Sequence, residues 1–211
     1  PGFAEAQCNL GAALLQAGRA AEALLPLETA QRTRPDAAEP RHQMGRALQV
    51  LGRIDDAIAQ YEHALRLDPG RAQAHDDLGL AFAAARRFDD ALAAHRQAIR
   101  FQPGLASAYN HLGVTLAQTG RLPDALAQFD EAVRREPGFG DAHVNRGGVL
   151  AALHRLPEAC EAFGRAVQLQ PDSAKVHAYL AQLLQALGRE SEAREHFARA
   201  AQLDQPPAAS R

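Results

Sequence analysis

The sequence predicts an all-α solenoid built from stacked helix hairpins, and three observations lead to this fold class. A pattern of 34 residues recurs along the 211-residue chain without insertion. Each copy contains two short segments whose apolar residues fall at helical spacing. Turn residues separate the two segments, and a second turn signal ends each copy. A fixed period of this size indicates a stacked array rather than independent globular domains.

Six consecutive copies account for nearly the whole chain. They are residues 4–37, 38–71, 72–105, 106–139, 140–173 and 174–207. We therefore expect one array over residues 1–207 and a disordered tail over 208–211. The chain opens with Pro1-Gly2-Phe3, which matches the end of the fourth copy at Pro137-Gly138-Phe139. This match predicts that the sequence is a piece of a longer array whose N-terminus lies further upstream.

The fourth copy shows how each hairpin is specified. Helix A is predicted from Ala106 to about Thr119, and Gly120 ends it because glycine tolerates a left-handed backbone. Helix B is predicted to begin near Pro123, since a proline in the first turn sacrifices no intrahelical hydrogen bond. Pro137 then stops helix B.

Small and bulky residues recur at fixed positions of the repeat. The positions of Ala125 and Ala132 hold alanine in all six copies, and the position of Gly113 holds glycine in five. The bulky column reads Leu27, Tyr61, His95, Phe129, Phe163 and Phe197. Small residues let helix backbones approach closely while the bulky side chains fill the space between them. These columns therefore predict the core of each hairpin and its contact with the next.

Together these signature residues resemble the tetratricopeptide repeat, over residues 4–207 in six copies. In the fourth copy they are Tyr109, Leu112, Gly113, Ala125, Phe129, Ala132 and Pro137. The resemblance implies a right-handed superhelix of helix hairpins. It also implies that helix A lines a concave groove and that helix B faces outward.

Several positions depart from the family pattern. The column expected to be aromatic reads Gln7, Arg41, His75, Tyr109, His143 and His177. Arg86 and His154 replace the turn glycine, and Arg146 replaces a leucine expected to be buried. Pro26 lies inside helix B of the first copy, where an interior proline costs about 3 kcal/mol. We expect the first repeat to be kinked and to fray earliest in amide exchange.

Composition and motifs argue against catalysis, cofactors and charged polymer partners. The chain has 23 basic and 25 acidic residues, so it should not attract nucleic acid or anionic membranes strongly. It contains no Gly-x-Ser-x-Gly, no phosphate-binding glycine loop and no His-Glu-x-x-His motif. It also lacks a run of about 18 apolar residues and a visible signal peptide, which favours the cytoplasm. We expect a non-enzymatic protein without a cofactor.

Neither the histidines nor the cysteines predict a metal site. His75, His143 and His177 recur once per repeat, too far apart for one ion that requires ligands at about 2.0–2.3 Å. Cys8 and Cys160 belong to the first and fifth repeats, so we expect two free, buried thiols. The sequence therefore predicts no bound metal.

An arginine occupies every turn between helices A and B, and an acidic residue follows three positions later. The pairs are Arg19 with Glu22, Arg53 with Asp56, Arg87 with Asp90, Arg121 with Asp124, Arg155 with Glu158 and Arg189 with Glu192. These arginines would form either a basic rail for an anionic ligand or local ion pairs. The strict pairing favours local ion pairs.

The inner face of helix A is the candidate binding surface. The ten candidate residues are Asn9, Glu39, His42, Gln43, Arg46, Asp76, Asp77, Asn110, His111 and Asn145. Polar side chains on a rigid wall would hydrogen-bond an extended or helical segment of a partner. Glu39, Asp76 and Asp77 give the first three repeats an acidic character, which predicts a partner segment with basic residues.

The resemblance implies a protein-interaction scaffold that binds a peptide or partner segment in the groove. The carboxylate clamp of chaperone-binding members needs groove lysines, and Lys175 is the only lysine. One alternative is a substrate-recruiting or regulatory arm excised from a larger enzyme, since the chain is similar to the repeat arm of O-linked N-acetylglucosamine transferase. That arm has a ladder of asparagines, of which Asn9 and Asn145 are the only matches here. Another alternative is end-to-end self-association through uncapped terminal repeats.

Overall fold

The computed structural model describes residues 2–204, which form twelve α-helices and no strand. The helices are α1 (Gly2–Gln16), α2 (Ala20–Thr33), α3 (Ala38–Val50), α4 (Ile54–Leu67), α5 (Ala72–Ala84), α6 (Phe88–Phe101), α7 (Ala106–Gln118), α8 (Leu122–Arg135), α9 (Gly140–Ala152), α10 (Leu156–Leu169), α11 (Ala174–Ala186) and α12 (Glu190–Leu203). Odd-numbered helices are the predicted helices A, and even-numbered helices are the predicted helices B. The protein is thus an all-α helical repeat solenoid, as predicted. The tail expected at 208–211 lies outside the described residues.

The contacts divide the chain into two compact units, with the boundary between Thr115 and Leu116 inside α7. Unit 1 contains α1 to α6 and most of α7. Helices α1 to α6 pack on their neighbours in chain order, with further contacts between α1 and α3 and between α3 and α5. Unit 2 contains the end of α7 and α8 to α12, and α8 to α12 again pack in chain order. None of the described helices combines the length and apolarity needed to span a membrane.

The small and bulky columns form the core, as the sequence predicts. The alanines equivalent to Ala125 are completely buried in the first five repeats, and Tyr61, His95 and Phe129 are at most 1 % exposed. A Cβ atom added to Gly45 would lie 2.5 Å from the Tyr61 ring. At Gly147 the added atom would lie 2.7 Å from the Phe163 ring. The backbone of helix A therefore lies directly against the bulky side chain of helix B.

All six turns between helices A and B share one backbone geometry. In the second repeat, Arg53 N–H donates to the Leu48 carbonyl at 2.9 Å and Gly52 N–H donates to the Gln49 carbonyl at 3.0 Å. This pair of hydrogen bonds is the Schellman motif, which places one residue in the left-handed region. Gly52 has φ 74°, and the departures Arg86 and His154 adopt the same conformation with φ 60° and 58°. The geometry is therefore retained even where glycine is absent.

The histidines in the tyrosine column have a structural role. Tyr109 donates its hydroxyl to the Pro103 carbonyl at 3.3 Å. The equivalent ring Nε2–H groups of His75, His143 and His177 donate, each at 3.0 Å, to the carbonyls of Pro69, Pro137 and Pro171. Each histidine therefore ties helix A to the turn that precedes it, as the tyrosine does.

The first hairpin differs from the others in two ways. Leu10 belongs to a column that is buried in most other repeats, but it is 48 % exposed because no helix precedes α1 in the described chain. α2 continues from Ala20 to Thr33 through the buried Pro26. Early fraying of this repeat stays a prediction.

Arg146, which replaces a leucine in the fifth repeat, is partly buried. Its Nε–H donates to Asp130 Oδ1 at 2.5 Å, so an ion pair between α8 and α9 replaces the apolar contact expected at this column.

Candidate functional site

Nine of the ten candidate residues lie in unit 1, on α1, α3, α5 and α7, and Asn145 lies on α9 in unit 2. We call the face formed by Asn9, Glu39, Gln43, Arg46 and Asp77 the A-helix wall. Asn110 is 5 % exposed, whereas Asn145 is half-buried.

A chain of hydrogen bonds holds the polar side chains of α3 in place. Gln43 donates through Nε2 to Glu39 Oε1 at 2.6 Å, and Arg46 donates through Nη1 to Gln43 Oε1 at 3.1 Å. The second carboxylate oxygen of Glu39 accepts from Arg71, at the start of α5. The α3 side of the A-helix wall is therefore preorganised, and both oxygens of Glu39 are already engaged.

Two clefts open on either side of α3. The cleft between α1 and α3 has a volume of about 260 Å³ and includes Asn9 and Glu39 in its lining. The cleft between α3 and α5 has a volume of about 220 Å³ and is lined by Arg46, Gln49, Val50, Tyr61 and Asp77. The structure thus places four candidate residues at the edges of two neighbouring concavities.

His42 and Asp77 join α3 to α5. His42 Nε2 lies 2.7 Å from Asp77 Oδ2, and Gln73 donates to Asp77 Oδ1 at 3.2 Å. His42 is 4 % exposed, and the Asp77 side chain is 14 % exposed. Most of this pair therefore lies between the helices, with only an edge of the carboxylate on the A-helix wall.

Asp76 is completely buried, which corrects the expectation that its side chain lies on the groove surface. Its Oδ1 lies 2.8 Å from His95 Nδ1, and its Oδ2 lies 3.0 Å from His111 Nδ1. The hydroxyl of Ser107 also donates to Oδ2, at 3.2 Å. Burial alone would raise the pKa of Asp76, but hydrogen bonds from His111 and His95 outweigh burial and lower the pKa to about 2. Asp76 is therefore an ionised carboxylate held between two imidazoles.

These contacts change the charge expected for the surface of unit 1. Asp76 is inaccessible, and the carboxylates of Asp77 and Glu39 are already bonded within the protein. Arg46 is exposed and donates only to an uncharged amide among the described residues. On the A-helix wall the side chain of Glu39 is 43 % exposed but its carboxylate is paired with Arg71, whereas the exposed guanidinium of Arg46 is hydrogen-bonded to an amide.

The arginines of the turns form local ion pairs, as the strict spacing predicts. In all six repeats the guanidinium lies 2.5–2.7 Å from the carboxylate three residues later. Hydrogen bonds from Arg19 and Arg155 lower the pKa of Glu22 and Glu158. Each cation is neutralised by its own partner, so the turns do not provide a basic rail.

Both cysteines are free and buried, as expected. Burial raises the pKa of Cys8 to about 11 and also raises the pKa of Cys160. Raised values of this kind disfavour the reactive thiolate, so neither residue is arranged as a nucleophile.

The sequence did not predict that His95 is a hydrogen-bond partner of Asp76. His95 stands in the bulky column and is completely buried, with its ring against Gly79. A histidine at a position that otherwise carries leucine, tyrosine or phenylalanine needs a polar partner when it is buried. That requirement was visible in the sequence, but the partner, 19 residues earlier on another helix, was not.

Comparison with protein families and solved structures agrees with this architecture. Family models described as tetratricopeptide repeat match residues 42–106, 77–139 and 110–174, and a further one matches residues 150–211. No curated protein sequence matches the chain. Similar solved structures include pilF of Pseudomonas aeruginosa, with 18 % identity, a TM-score of 0.86 and coverage of 96 % of this chain and 92 % of that one.

Two further similar structures are tetratricopeptide repeat proteins. TTC0263 of Thermus thermophilus has 21 % identity and a TM-score of 0.73, over 86 % of this chain and 99 % of that one. YrrB has 21 % identity and a TM-score of 0.65, over 84 % of this chain and 92 % of that one. At these identities the likeness supports the fold, and the family models, which match most of the sequence, establish membership. The chain belongs to the tetratricopeptide repeat family.

Proposed function

We propose that unit 1 binds a segment of another protein along the A-helix wall. Tetratricopeptide repeat proteins generally mediate protein–protein interactions and are generally not catalysts. One similar structure, YrrB, is described as having an unusual peptide-binding site. The observation that carries the proposal is the hydrogen-bonded row of Glu39, Gln43 and Arg46 between two clefts. A wall whose side chains are already ordered loses little conformational entropy when a ligand binds.

The chemistry of the wall favours a partner segment that carries a carboxylate beside an apolar side chain. Arg46 offers an exposed guanidinium, and Val50, one helical turn further along α3, is 70 % exposed. Both line the cleft between α3 and α5. This proposal replaces the basic partner expected from the sequence, because the acidic groups that suggested it are engaged internally.

A binding measurement with peptides tests this proposal. An array of random peptides would select binders, and fluorescence anisotropy would measure their affinity for the full chain and for Arg46→Ala. We expect Arg46→Ala to weaken binding at least about tenfold, as loss of a charge-assisted contact of roughly 1.5–3 kcal/mol requires. Arg96→Ala removes an exposed arginine from α6 and serves as the matched control, which should leave the affinity unchanged. Selection of Lys- and Arg-rich peptides, or equal effects of both variants, would refute the proposal.

Self-association is a second candidate, supported by exposed apolar side chains on α1. Phe3 is 61 % exposed and Leu10 is 48 % exposed, so α1 presents an uncovered apolar face. Repeat arrays normally cover such faces with a polar capping element. Light scattering over a hundredfold range of protein concentration tests this candidate. A mass that stays at 22.6 kDa throughout would exclude it.

A further inference from the structure

The group formed by Asp76, His95 and His111 has a composition that peptide binding does not require. Each residue comes from a different helix, namely α5, α6 and α7, and all three lie within unit 1. One ligand atom from each residue lies within 4.8 Å of the other two. We propose that these three side chains form a binding site for a first-row divalent transition metal ion, with Zn²⁺ as the test ion.

The spacing of the donor atoms suits such an ion. Donor atoms that share an ion at about 2.0–2.1 Å lie roughly 3 Å from one another. The distance from Asp76 Oδ1 to His95 Nδ1 is 2.8 Å, and that from the same Oδ1 to His111 Nδ1 is 3.1 Å. Two of the three distances between donor atoms therefore already have the length that a shared ion requires. The third distance, between the two Nδ1 atoms, can shorten when His111 rotates, because the His111 side chain is 26 % exposed.

The donor set selects the class of ion. Two imidazole nitrogens and one carboxylate oxygen suit Zn²⁺, Co²⁺ and Ni²⁺, whereas Mg²⁺ and Ca²⁺ prefer oxygen ligands alone. The hydroxyl of Ser107 donates to Oδ2 of Asp76 at 3.2 Å. Such outer contacts orient a metal ligand and reduce the reorganisation that binding requires. Three protein ligands leave at least one coordination position for water or for a group of a bound partner.

Packing alone does not explain these residue choices. The position of His95 carries leucine, tyrosine or phenylalanine in the other five repeats, so the hairpin does not need a histidine there. The column of Asp76 reads Cys8, His42, Asp76, Asn110, Val144 and Ala178, so the repeat does not require a carboxylate there. A fully buried carboxylate is unfavourable unless it is compensated, and here both imidazoles present their Nδ1 atoms to it.

The ion enters from the solvent side of His111, because Asp76 and His95 have no exposed surface. Each Nδ1 needs a free lone pair to ligate the ion, so a neutral imidazole carries its proton on Nε2 and an imidazolium must release one proton. Binding therefore weakens as pH falls. Surface carboxylates lose a bound ion only as they protonate at about pH 4, whereas imidazole ligands lose it about two pH units higher, which distinguishes this site from loose association.

Metal titration of the full chain tests the site. The protein is prepared without a histidine tag, treated with EDTA and titrated with ZnCl₂ in a calorimeter, and with CoCl₂ while the visible absorption is recorded. We expect one ion per chain, a Co²⁺ absorption band and a higher melting temperature with Zn²⁺. His95→Phe removes one ligand and installs the residue found in this column in the last three repeats. We expect it to weaken Zn²⁺ binding by about 100-fold, and Asp76→Asn to do the same.

A second histidine pair provides the matched control. The Nδ1 atoms of His177 and His196 lie 2.9 Å apart, but the described residues provide no third ligand there. His196→Phe should therefore leave Zn²⁺ affinity and the Co²⁺ spectrum unchanged. Circular dichroism establishes that each variant is folded before its titration. The proposal is overturned if the wild-type protein binds neither ion, or if a folded His95→Phe variant binds Zn²⁺ as tightly as the wild type.

Discussion

Two adjacent glycines of α9 provide a sharp test of how the hairpins pack. A Cβ atom added to Gly147 would lie 2.7 Å from Cδ2 and Cε2 of Phe163, which is 4 % exposed. A Cβ atom added to Gly148 would meet no atom within 4 Å. The two positions share a helix and differ in sequence by one residue, so Gly147→Ala and Gly148→Ala isolate the contact with the bulky column.

The two substitutions should change stability in opposite directions. Alanine gains about 0.5–1 kcal/mol over glycine inside a helix, because the unfolded chain loses less freedom. At Gly148 this gain is the whole effect. At Gly147 the new methyl group overpacks the core, which costs about 1–3 kcal/mol because the Phe163 ring has little room to move. The net expectation is a loss of roughly 0.5–2 kcal/mol for Gly147→Ala.

Urea denaturation followed by circular dichroism at 222 nm measures both effects. Because unfolding of a repeat array need not be two-state, the comparison is made on the transition midpoint of each variant. We expect the midpoint of Gly148→Ala to rise and that of Gly147→Ala to fall. If Gly147→Ala stabilises the protein as much as Gly148→Ala does, the close contact between the glycine and bulky columns is refuted.

Three further predictions concern the turns, a thiol and a histidine. Arg86→Gly and His154→Gly should each stabilise the protein by about 1 kcal/mol in thermal denaturation, since both residues have positive φ; an unchanged melting temperature would contradict this. Because burial raises the pKa of Cys8 to about 11, this thiol should react with iodoacetamide at pH 8 about 100-fold more slowly in buffer than in urea. The reaction rate in buffer should keep rising with pH up to about 11. Equal rates in buffer and urea would count against the burial effect. His143→Phe should lower the free energy of unfolding by about 0.5–1.5 kcal/mol because it removes the hydrogen bond to the Pro137 carbonyl, whereas His143→Tyr should leave stability nearly unchanged. Equal losses of stability in the two variants would disprove the role assigned to this column.

The sequence predicted the features that depend on local periodicity. Helix bounds near Gly120 and Pro137 follow from residue types whose backbone preferences act within a few residues. The ion pair of Arg121 with Asp124 follows from its spacing of three within one turn. Burial of Ala125 and Phe129 follows because the same small and bulky residues recur at one helical face. These features do not require knowledge of how one hairpin lies on the next.

The burial of Asp76 could not be predicted from the 34-residue repeat pattern. Helical spacing places His42, Asp76 and Asn110 near the groove, but the boundary between groove and buried contact depends on how adjacent helices A pack. In the structure these three residues are at most 5 % exposed. The expected surface position of Asp76 was wrong for this reason, because its carboxylate lies inside.

The shared geometry of the six turns has an evolutionary consequence. Since glycine, arginine and histidine all occupy the left-handed position, the junction between helices A and B does not depend on a local sequence found in one repeat alone. Unequal recombination between two copies would join half of one hairpin to half of another at an equivalent backbone conformation. Gain or loss of 34 residues at a time therefore preserves the backbone geometry of every junction between helices A and B.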